Sequence, residues 1–560
     1  MKKVTIAFLV LIVACAAFLF VKANQEPKVT ERTPVYLAST GGTVDVYTLD
    51  KKTKEMSLYK SLSRGSEVTS QNLTYEPKDS EEVYTRVELS GDVDEKGNPN
   101  VYYVNNADFV TDVASTVRET TKYVRTPVTI YESADSYEIA SFAPKGTELA
   151  VTGFSNMAAD GSVEMYQVEY EGVSGYVFAK YLVDTKEDAD AVYESVYNIQ
   201  AGRQYDYDLL SGYTENLDWY PVDKPVLERG EIPEETKCIY LCAEAAHPDY
   251  IDGYIELALE TGANALVINI KDGMLSYYSE VADIYTPTSN YYSYLSVEDF
   301  KTSIQKVRDA GLWAIGRIVV FNDDFYAQDH PEDCITTDIS DLVWISAYAR
   351  NCWEYNIALA TEAVELFDFD EIQFDYIRFP DNAYALSCSE WTDFKNTYDE
   401  EKGQCIQNFC FYACDMVHRA GAYCSADVFG DSAEEYITPG GQYWAAISNV
   451  VDAISGMPYT DHFGSDVDRW TYPYDIVYTW AQKAAARQSE IATPAIARTW
   501  ITGYDTPYWN QTVTYGNEQL VAQAQALYDG GLYGGFIPWN AASSLNKYWS
   551  YYLVWATEYH

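Results

Sequence analysis

The stretch FDFDEIQFDYIRFPD, residues 367–381, places charged residues among aromatic and aliphatic ones in a run that otherwise resembles a buried strand. Successive side chains of a strand point to opposite faces of the sheet. Ile372 and Phe374 are apolar and share one face, so we expect them to contact a layer of helices. The alternate residues are expected to point into the interior of a barrel: Glu371, Gln373 and Asp375.

This run is one of eight apolar segments of strand length that alternate with helical patterns in the second half of the chain. The segments begin at residues 237, 264, 312, 370, 422, 450, 492 and 533. Eight βα repeats predict an α/β fold with a (β/α)8 barrel (a TIM barrel) over residues 236–560. Such a barrel needs about 250 residues plus insertions, and this range is long enough to hold one. A doubly wound open sheet is the alternative fold, but no glycine-rich phosphate loop follows the first strand.

The region before the barrel is predicted to be all-β. Residues 36–115 and 123–185 each contain short alternating strands separated by Gly, Asp and Asn turns, in the same order, which indicates two small β-barrels. The second copy resembles bacterial SH3-like domains, particularly in its closing GYVFAKYL, while the first carries a longer insertion, SGDVDEKGNPN. The polar residues 186–235 are predicted to be a linker.

Residues 1–24 are predicted to be an export signal or a membrane anchor. Two lysines precede an apolar run at residues 4–21, which as a helix would be about 27 Å long, enough for one bilayer core. We favour an uncleaved signal anchor, with cleavage after Ala23 or lipidation at Cys15 as alternatives. The chain is therefore expected on the outer face of the cell membrane, or secreted.

The amino-acid composition limits the classes of partner that we expect for this chain. A net charge of −47 would repel nucleic-acid phosphates, so no nucleic-acid partner is expected. The 52 Tyr and 13 Trp suit stacking on sugars as well as core packing, and the expected partners are a polysaccharide or cell-wall glycan, and a membrane through the N-terminal segment. The spacing of the 10 Cys and 5 His fits no zinc motif, so we predict neither metal nor cofactor.

In a (β/α)8 barrel the active site forms at the carboxyl ends of the strands. Candidates there are Lys271, Asp272, Arg317, Asp323, Asp375, Arg378, Asp427, Tyr459, Arg498, Trp500 and Trp539. Adjacent strands lie about 4.8 Å apart, so the carboxyl groups of Asp375 and Asp427 can approach each other closely. Glycoside hydrolysis uses such a pair, with Asp375 as nucleophile or stabiliser and Asp427 as general acid and base. Asp323 is the alternative second carboxylate.

The remaining candidates are assigned to substrate binding. Charged side chains would bind polar or anionic groups, and aromatic ones would stack on sugar rings. The charged set is Lys271, Asp272, Arg317, Arg378 and Arg498, and the aromatic set is Tyr459, Trp500 and Trp539. The competing structural interpretation is an Asp375–Arg378 ion pair at the barrel opening. Glu371 lies deeper and is expected to be structural, whereas Asp368 and Asp370 are expected in a solvated loop.

Four strings together resemble a bacterial family of glycoside-hydrolase domains with a (β/α)8 fold. They are NALVINIKD at 264–272, AIGRIVVFND at 314–323 with HPE close behind, the run from Glu354 to Asp381, and SADVFG at 425–430. The resemblance covers about residues 236–550 and implies an amylase-like hydrolase. The positions that match the family's motifs are Lys271, Asp323, Asp375, Arg378 and Asp427.

Differences from other barrel hydrolases narrow the chemistry to an Asp-based pair. Amylase-type enzymes place Arg two residues before the fourth-strand nucleophile, where this chain has Gln373, and the chitinase run that ends in Glu has Ile377 in its place. The seventh strand, IARTWITG, carries no acid for a Glu pair. Two other functions remain open. One is a non-catalytic carbohydrate-binding protein on a glycosidase-like barrel, and the other is a metal-dependent hydrolase that uses Asp272, Asp323 and His330.

Overall fold

The computed structural model describes residues 29–560 except 30, 40–41, 79, 159–161, 204–207, 465 and 509–510. The predicted leader, residues 1–24, lies outside this range. Within the described part of the chain, no helix is both long and apolar enough to cross a bilayer. The chain forms two compact units. One contains residues up to Tyr123 together with Glu148–Asp184, and the other contains Val124–Thr147 and Thr185–His560.

The first unit is all-β, as predicted. Its first sheet is antiparallel and contains the strands Thr33–Leu37, Thr43–Leu49, Met56–Ser63, Glu67–Tyr75, Tyr84–Glu88, Tyr102–Asn105 and Phe109–Val110. Alternate residues such as Val44 and Val46 are buried in its core. A second antiparallel set contains Thr121–Val124, Glu148–Met157, Val163–Tyr170 and Val173–Phe178. The all-β character is confirmed, and the assignment to SH3-like domains stays a prediction.

The second unit opens with an antiparallel hairpin, Val128–Tyr131 and Ile139–Ala143. The helices Lys186–Asp190, Glu194–Gln200 and Asp208–Ser211 fall in the segment that was predicted to be a linker. Eight parallel strands follow, at the eight predicted segments. They are β1 (Thr236–Leu241), β2 (Ala265–Asp272), β3 (Trp313–Val319), β4 (Glu371–Asp375), β5 (Tyr423–Phe429), β6 (Ala453–Met457), β7 (Ile496–Thr502) and β8 (Gly535–Trp539).

The eight strands form a closed barrel, because β1 pairs in parallel with both β2 and β8. The predicted fold is confirmed. The principal helices are α1 (Ile251–Thr261), α2 (Val297–Asp309), α3 (Arg350–Phe367), α4 (Lys402–Arg419), α5 (Trp444–Val450), α6 (Tyr474–Gln488), α7 (Asn517–Asp529) and α8 (Leu545–Ser550). Shorter helices are Glu280–Tyr285, Pro287–Tyr291, Asp324–Asp329, Ala383–Ser387, Val467–Thr471 and Leu553–Ala556, and short strands are Met274–Leu275, Thr506–Tyr508 and Gln511–Val513.

Strand alternation places the side chains of β4 as predicted. Phe374 packs edge-on against Phe409 of α4, with ring centroids 5.6 Å apart, and therefore faces the helix layer. Gln373 points inward and donates from Nε2 to Ser455 Oγ at 3.1 Å. The expectation of a solvated Asp370 is wrong. It is only 6% exposed and accepts a hydrogen bond from Ala314 N at 2.9 Å, before β4 begins.

An ion pair closes the lower interior of the barrel. Arg498 donates from Nη1 and Nη2 to the two oxygens of Glu371, at 2.7 and 3.1 Å, and both side chains are 0% exposed. Trp313 Nε1 also donates to Glu371 Oε2 at 3.1 Å. Glu371 is structural, as expected. The prediction that Arg498 binds substrate does not fit this position. Arg498 lies two residues before Trp500 on β7, and its Nη1 and Nη2 atoms are both bound to Glu371.

Candidate active site

Arg317 of β3 is the central cation at the open end of the barrel. Alternation along β3 turns its side chain inward, where it is 3% exposed. Its Nη2 and Nε atoms donate to Asp375 Oδ2 at 2.5 and 3.1 Å, and Nη1 donates to Asn269 Oδ1 at 2.8 Å. Nη1 also lies 3.3 Å from Asp272 Oδ2. Arg317 therefore joins the ends of β2, β3 and β4.

Asp375 is the last residue of β4, and its carboxylate is fixed on both sides. Arg317 binds Oδ2, while the backbone N–H of Tyr376 donates to Oδ1 at 2.6 Å. Tyr376 has φ of +54°, a left-handed conformation that is uncommon for a bulky residue and costs about 1–3 kcal/mol. The chain turns sharply directly after Asp375, and this turn directs the Tyr376 N–H at its carboxylate.

Asp427 of β5 is held differently from Asp375. Its side chain is 0% exposed, and Trp500 Nε1 donates to Oδ1 at 2.8 Å. Oδ2 has no hydrogen-bond partner among the described residues, and the nearest cationic atom is Arg317 Nε at 3.9 Å. Burial, and next the negative charge of Asp375, raise the pKa of Asp427 well above its usual value. The raised pKa favours the protonated form of this buried carboxyl group.

Aromatic rings line the opening beside these groups. The ring centroid of Tyr240 lies 4.6 Å from that of Trp539 and 5.8 Å from that of Trp500. Arg317 lies over the rings of Tyr240 and Trp539, at 5.8 and 5.5 Å. Trp500 is 1% exposed, so it holds Asp427 and presents no open face to a sugar. Trp539 is partly exposed and can stack on one.

Tyr459 follows β6 and is 9% exposed. Its ring packs edge-on against that of Tyr504 at 5.9 Å. Burial, and next the charge of Asp375, raise the pKa of Tyr459 well above its usual value, so it stays a phenol and a hydrogen-bond donor. A cavity of about 200 Å³ opens over β1, β2 and β8. Its lining includes Tyr240, Glu244, Asn269, Asp272, Tyr294 and Trp539.

Lys271 lies outside this opening because of a β-bulge in β2. Asn269 pairs with Arg317, but Lys271 pairs with Ile318, so the intervening Ile270 is an extra residue. An extra residue reverses the alternation of the side chains beyond it. Lys271 consequently faces the helix layer, where its Nζ lies 4.8 Å from the ring centroid of Tyr355 of α3.

Asp323 is the ion-pair partner of Lys271. Lys271 Nζ lies 2.7 Å from Asp323 Oδ2, and both side chains are 0% exposed. The other oxygen of Asp323 accepts from the N–H groups of Phe325 and Tyr326, at 3.1 and 3.0 Å, and caps the helix Asp324–Asp329. Both carboxylate oxygens are thus occupied behind the barrel wall. The predicted roles of Lys271 in substrate binding and of Asp323 as a second catalytic carboxylate do not fit these positions.

Arg378 also has a structural environment. It is 4% exposed, and its guanidinium lies over the rings of Phe429, Tyr376 and Trp344, at 4.1, 5.1 and 5.0 Å. Arg378 Nη1 also lies 3.0 Å from Asp381 Oδ1. It braces the turn that follows Asp375. The competing interpretation, an Asp375–Arg378 ion pair, is wrong, because Arg317 is the partner of Asp375.

The groups considered for a metal site are separately engaged. Asp323 binds Lys271, Asp272 lies beside Arg317, and His330 Nε2 lies 2.5 Å from the carbonyl oxygen of Tyr285. In the described ranges, no three His, Cys, Asp or Glu side chains are grouped as a metal site would require.

Sequence reasoning missed Tyr240, Asn269 and Tyr294 as residues of the opening. Asn269 Nδ2 donates to the Tyr240 hydroxyl at 2.7 Å, and its Oδ1 accepts from Arg317. The alternation used for β4, applied to KCIYLCAE, would have turned Tyr240 inward. Tyr294 lies on a long loop, and no periodic pattern indicated its position.

The chain is similar to several proteins of known structure. The chain resembles a hypothetical protein from Ruminiclostridium thermocellum ATCC 27405, at 30% identity over 34% of this chain and 97% of that one, with a TM-score of 0.29. It is also similar to the PgaB (BpsB) glycoside hydrolase domain from Bordetella bronchiseptica (10% identity, 56% and 96% of the two chains, TM-score 0.39). A third match is the catalytic domain of a β-amylase from Paenibacillus polymyxa (10% identity, 59% and 100% of the two chains, TM-score 0.37).

A search among curated proteins gave no match. A family profile described as "Putative glycosyl hydrolase domain" matches residues 238–546, which is more than half of the chain and spans the barrel from β1 to α8. The resemblance that the β2 to β5 motifs indicated is confirmed, and the chain belongs to this glycosyl hydrolase family.

Proposed function

We propose that the protein is a glycoside hydrolase that cleaves an extracellular or cell-envelope polysaccharide with Asp427 as general acid and Asp375 as the carboxylate at the anomeric carbon. The observation that supports these roles most strongly is the contrast between the two groups. Both oxygens of Asp375 accept hydrogen bonds, one from the Arg317 guanidinium and one from the backbone N–H of Tyr376. Asp427 is buried, and its Oδ2 atom is unpaired among the described residues.

The proposed reaction follows from that contrast. Asp427 transfers its proton from Oδ2 to the glycosidic oxygen as the bond from that oxygen to the anomeric carbon breaks. The carboxylate of Asp375 stabilises the positive charge on the sugar or bonds to its anomeric carbon. Asp427, now ionised, takes a proton from the water that attacks the same carbon, and both carboxyl groups return to their starting states.

The other residues of the opening support this reaction. Arg317 holds Asp375 in place and lowers the cost of the second negative charge when Asp427 ionises. Asp272, half exposed beside Arg317, can accept hydrogen bonds from sugar hydroxyls. Trp539 offers a partly exposed ring for a sugar face. The polysaccharide and the location outside the membrane are inferred from these groups and from the apolar run at residues 4–21.

The test is to incubate the protein with soluble starch, xylan, laminarin, chitin and peptidoglycan and to measure hydrolysis as the release of reducing ends. We expect the wild-type protein to cleave at least one polymer, and Asp375→Asn to remove that activity while circular dichroism shows that the variant is still folded. Cleavage by both proteins at equal rates would refute the role of Asp375. The absence of cleavage by the wild type would favour the carbohydrate-binding alternative.

The stereochemistry of the product gives a second test. Asp375 Oδ2 and Asp427 Oδ2 lie 3.1 and 3.9 Å from the same atom, Arg317 Nε, which favours a close pair. Retaining enzymes have carboxyl groups about 5–5.5 Å apart, and inverting ones need about 6.5–9.5 Å to admit a water molecule. We expect NMR of the first product to show the anomeric configuration of the substrate. The opposite anomer would contradict direct attack by Asp375.

A further inference from the structure

The loop between β2 and α2 is fixed to the end of β2. The chain turns at Gly273, which has φ of +68°, and Met274–Leu275 then pairs antiparallel with the last residues of β2. Ser276 strengthens this turn, because its hydroxyl donates to the carbonyl oxygen of Asn269 at 2.6 Å and its N–H donates to that of Ile270 at 2.8 Å. The hairpin is therefore rigidly attached beside Asn269.

A second part of the same loop, residues 287–295, is attached to this hairpin. The Ser289 hydroxyl donates to the carbonyl oxygen of Gly273 at 2.6 Å, and Tyr294 N donates to that of Leu275 at 3.1 Å. Leu295 N donates to the carbonyl oxygen of Ser276 at 3.0 Å. These bonds hold the backbone of residues 289–295 in one position relative to the barrel opening.

Three tyrosines of this fixed segment have exposed rings. Tyr291, Tyr292 and Tyr294 are 81%, 52% and 49% exposed, so they contribute little to a core. The rings of Tyr291 and Tyr292 lie 5.0 Å apart edge to face, and Tyr292 also lies 5.5 Å from Phe325. We call Tyr291, Tyr292 and Tyr294 the tyrosine platform.

One residue of the platform, Tyr294, also lines the cavity over β1, β2 and β8. Tyr294 lines the same cavity as Asp272 and Trp539, whereas Tyr291 and Tyr292 lie outside it. A ligand held by Trp539 can therefore extend over Tyr294 and leave the opening along the platform. A tyrosine ring offers a flat apolar face and a polar tip, which matches the apolar face and hydroxyl rim of a pyranose.

We propose that the tyrosine platform binds the part of a glycan chain that extends beyond the barrel opening, so that the substrate is a polymer and not a short oligosaccharide. This inference rests on the proposed function for the chemistry at Asp375, but the platform makes a separate prediction about binding. Sites formed by rigid aromatic side chains lose little conformational entropy when a ligand binds, which suits a long chain held by several weak contacts.

Binding is tested in the Asp375→Asn protein, which leaves the polymer intact. Its migration is measured in native gels that contain laminarin, soluble starch, xylan or hyaluronan. We expect at least one polymer to retard the protein, and the added changes Tyr291→Ala, Tyr292→Ala and Tyr294→Ala to weaken that binding about tenfold. Tyr533→Ala is the matched control, because Tyr533 is 62% exposed but precedes β8, at the opposite end of the barrel. It should bind like the parent.

The proposed binding role of the platform would be refuted if the triple variant were retarded as much as its parent. It would also be refuted if none of the four polymers retarded the parent. A kinetic comparison with Asp375 intact separates this outcome from failure of the proposed function. A variant with only Tyr291→Ala and Tyr292→Ala, which keeps Tyr294 in the cavity, should lose several-fold in kcat/KM on the polymer and less than twofold on a short aryl glycoside. Undiminished cleavage by Asp375→Asn would refute the catalytic assignment alone.

Discussion

Two carboxylate and arginine clusters lie inside the same barrel, one above the other, and they differ in how completely the oxygens of their carboxyl groups are hydrogen-bonded. In the lower cluster, Arg498 and Trp313 occupy both oxygens of Glu371, and the pair is 0% exposed. In the upper cluster, Arg317 is shared between Asp375 and Asp427, and Asp427 Oδ2 has no hydrogen-bond partner among the described residues.

The comparison shows that residue type and strand face do not distinguish a structural carboxylate from a reactive one. Glu371 and Asp375 stand four residues apart on one strand and point the same way. Both oxygens of Glu371 are bound by donors of the barrel, so this carboxylate stabilises one conformation and has no oxygen left for a ligand. In the upper cluster, Asp427 Oδ2 lacks a hydrogen-bond partner among the described residues, and a protonated Oδ2 can donate to an oxygen of a substrate.

The largest effect is expected from Asp375→Asn. The amide removes the charge that the proposed reaction needs at the anomeric carbon, so kcat should fall by about 10⁴-fold, as for loss of a principal catalytic group. Reducing-end release on the cleaved polymer measures this loss, and circular dichroism checks the fold. If Asp375→Asn kept activity within tenfold of the wild type, Asp375 would not be a catalytic carboxylate, and the upper cluster would be structural like the lower one.

Glu371→Ala should instead act on stability. It leaves the Arg498 charge buried and unpaired, which costs about 3–5 kcal/mol in the free energy of unfolding. Urea denaturation measures the change. Glu371→Gln combined with Arg498→Met removes both charges, keeps an acceptor for Trp313 and should recover most of the stability. If the double variant were as unstable as Glu371→Ala, the effect would not come from an unpaired charge.

Asp427→Asn should lower kcat by about 10²–10³-fold on a polymer, because no proton reaches the leaving oxygen. An aryl glycoside with an acidic leaving group needs less protonation and should lose less. Because the pKa of Asp427 is raised, wild-type kcat/KM is expected to fall as pH rises through that pKa, and the variant should lack this limb. Equal losses on both substrates would argue against a general acid.

The same raised pKa affects stability with a definite sign. The folded protein holds the Asp427 proton more tightly than the unfolded chain does, so this contribution to stability is complete below the unfolded value of about 3.9 and is lost as pH rises through the folded pKa. Asp427→Asn should flatten that part of the stability profile. An unchanged profile would show that Asp427 does not titrate above its usual range.

The smallest effect is expected from Trp500→Phe, which removes one hydrogen bond from Asp427 and keeps a ring in place. That hydrogen bond lowers the pKa of Asp427, so its loss should move the alkaline limb of kcat/KM to higher pH by about one unit. Trp539→Phe is the control and should leave the limb unchanged. A limb that stays in place in Trp500→Phe would mean that Trp500 only packs against the site.

Much of this arrangement could be predicted from the sequence because it depends on periodicity. Eight strand-length runs predicted the closed barrel, and alternation along β4 and β5 turned Asp375 and Asp427 inward on adjacent strands. The partner of Asp375 could not be predicted in this way. Arg378 is close in sequence but lies over three aromatic rings, while Arg317 comes from another strand whose register only the folded sheet sets.

The errors have physical causes of their own. Lys271 is predicted to lie in the opening because it stands at the carboxyl end of the second strand segment, but the extra residue at Ile270 turns its side chain to the helix layer. Asp323 was considered catalytic, but it precedes a helix, where a carboxylate caps free N–H groups. Arg498 was counted at the open end, although Trp500, two residues later, is the side chain of β7 that reaches Asp427.

The bulge at Ile270 has one more consequence, for how related chains could diverge. Deletion of a single residue there would restore strict alternation in β2 and turn Lys271 into the barrel beside Asp272, with its charge no longer matched by Asp323. A second cation next to Asp375 would favour the ionised form of Asp427 and remove the proton donor. A single-residue deletion in β2 would therefore change a pocket that contains a proton donor into one that binds anions, with the rest of the barrel unchanged.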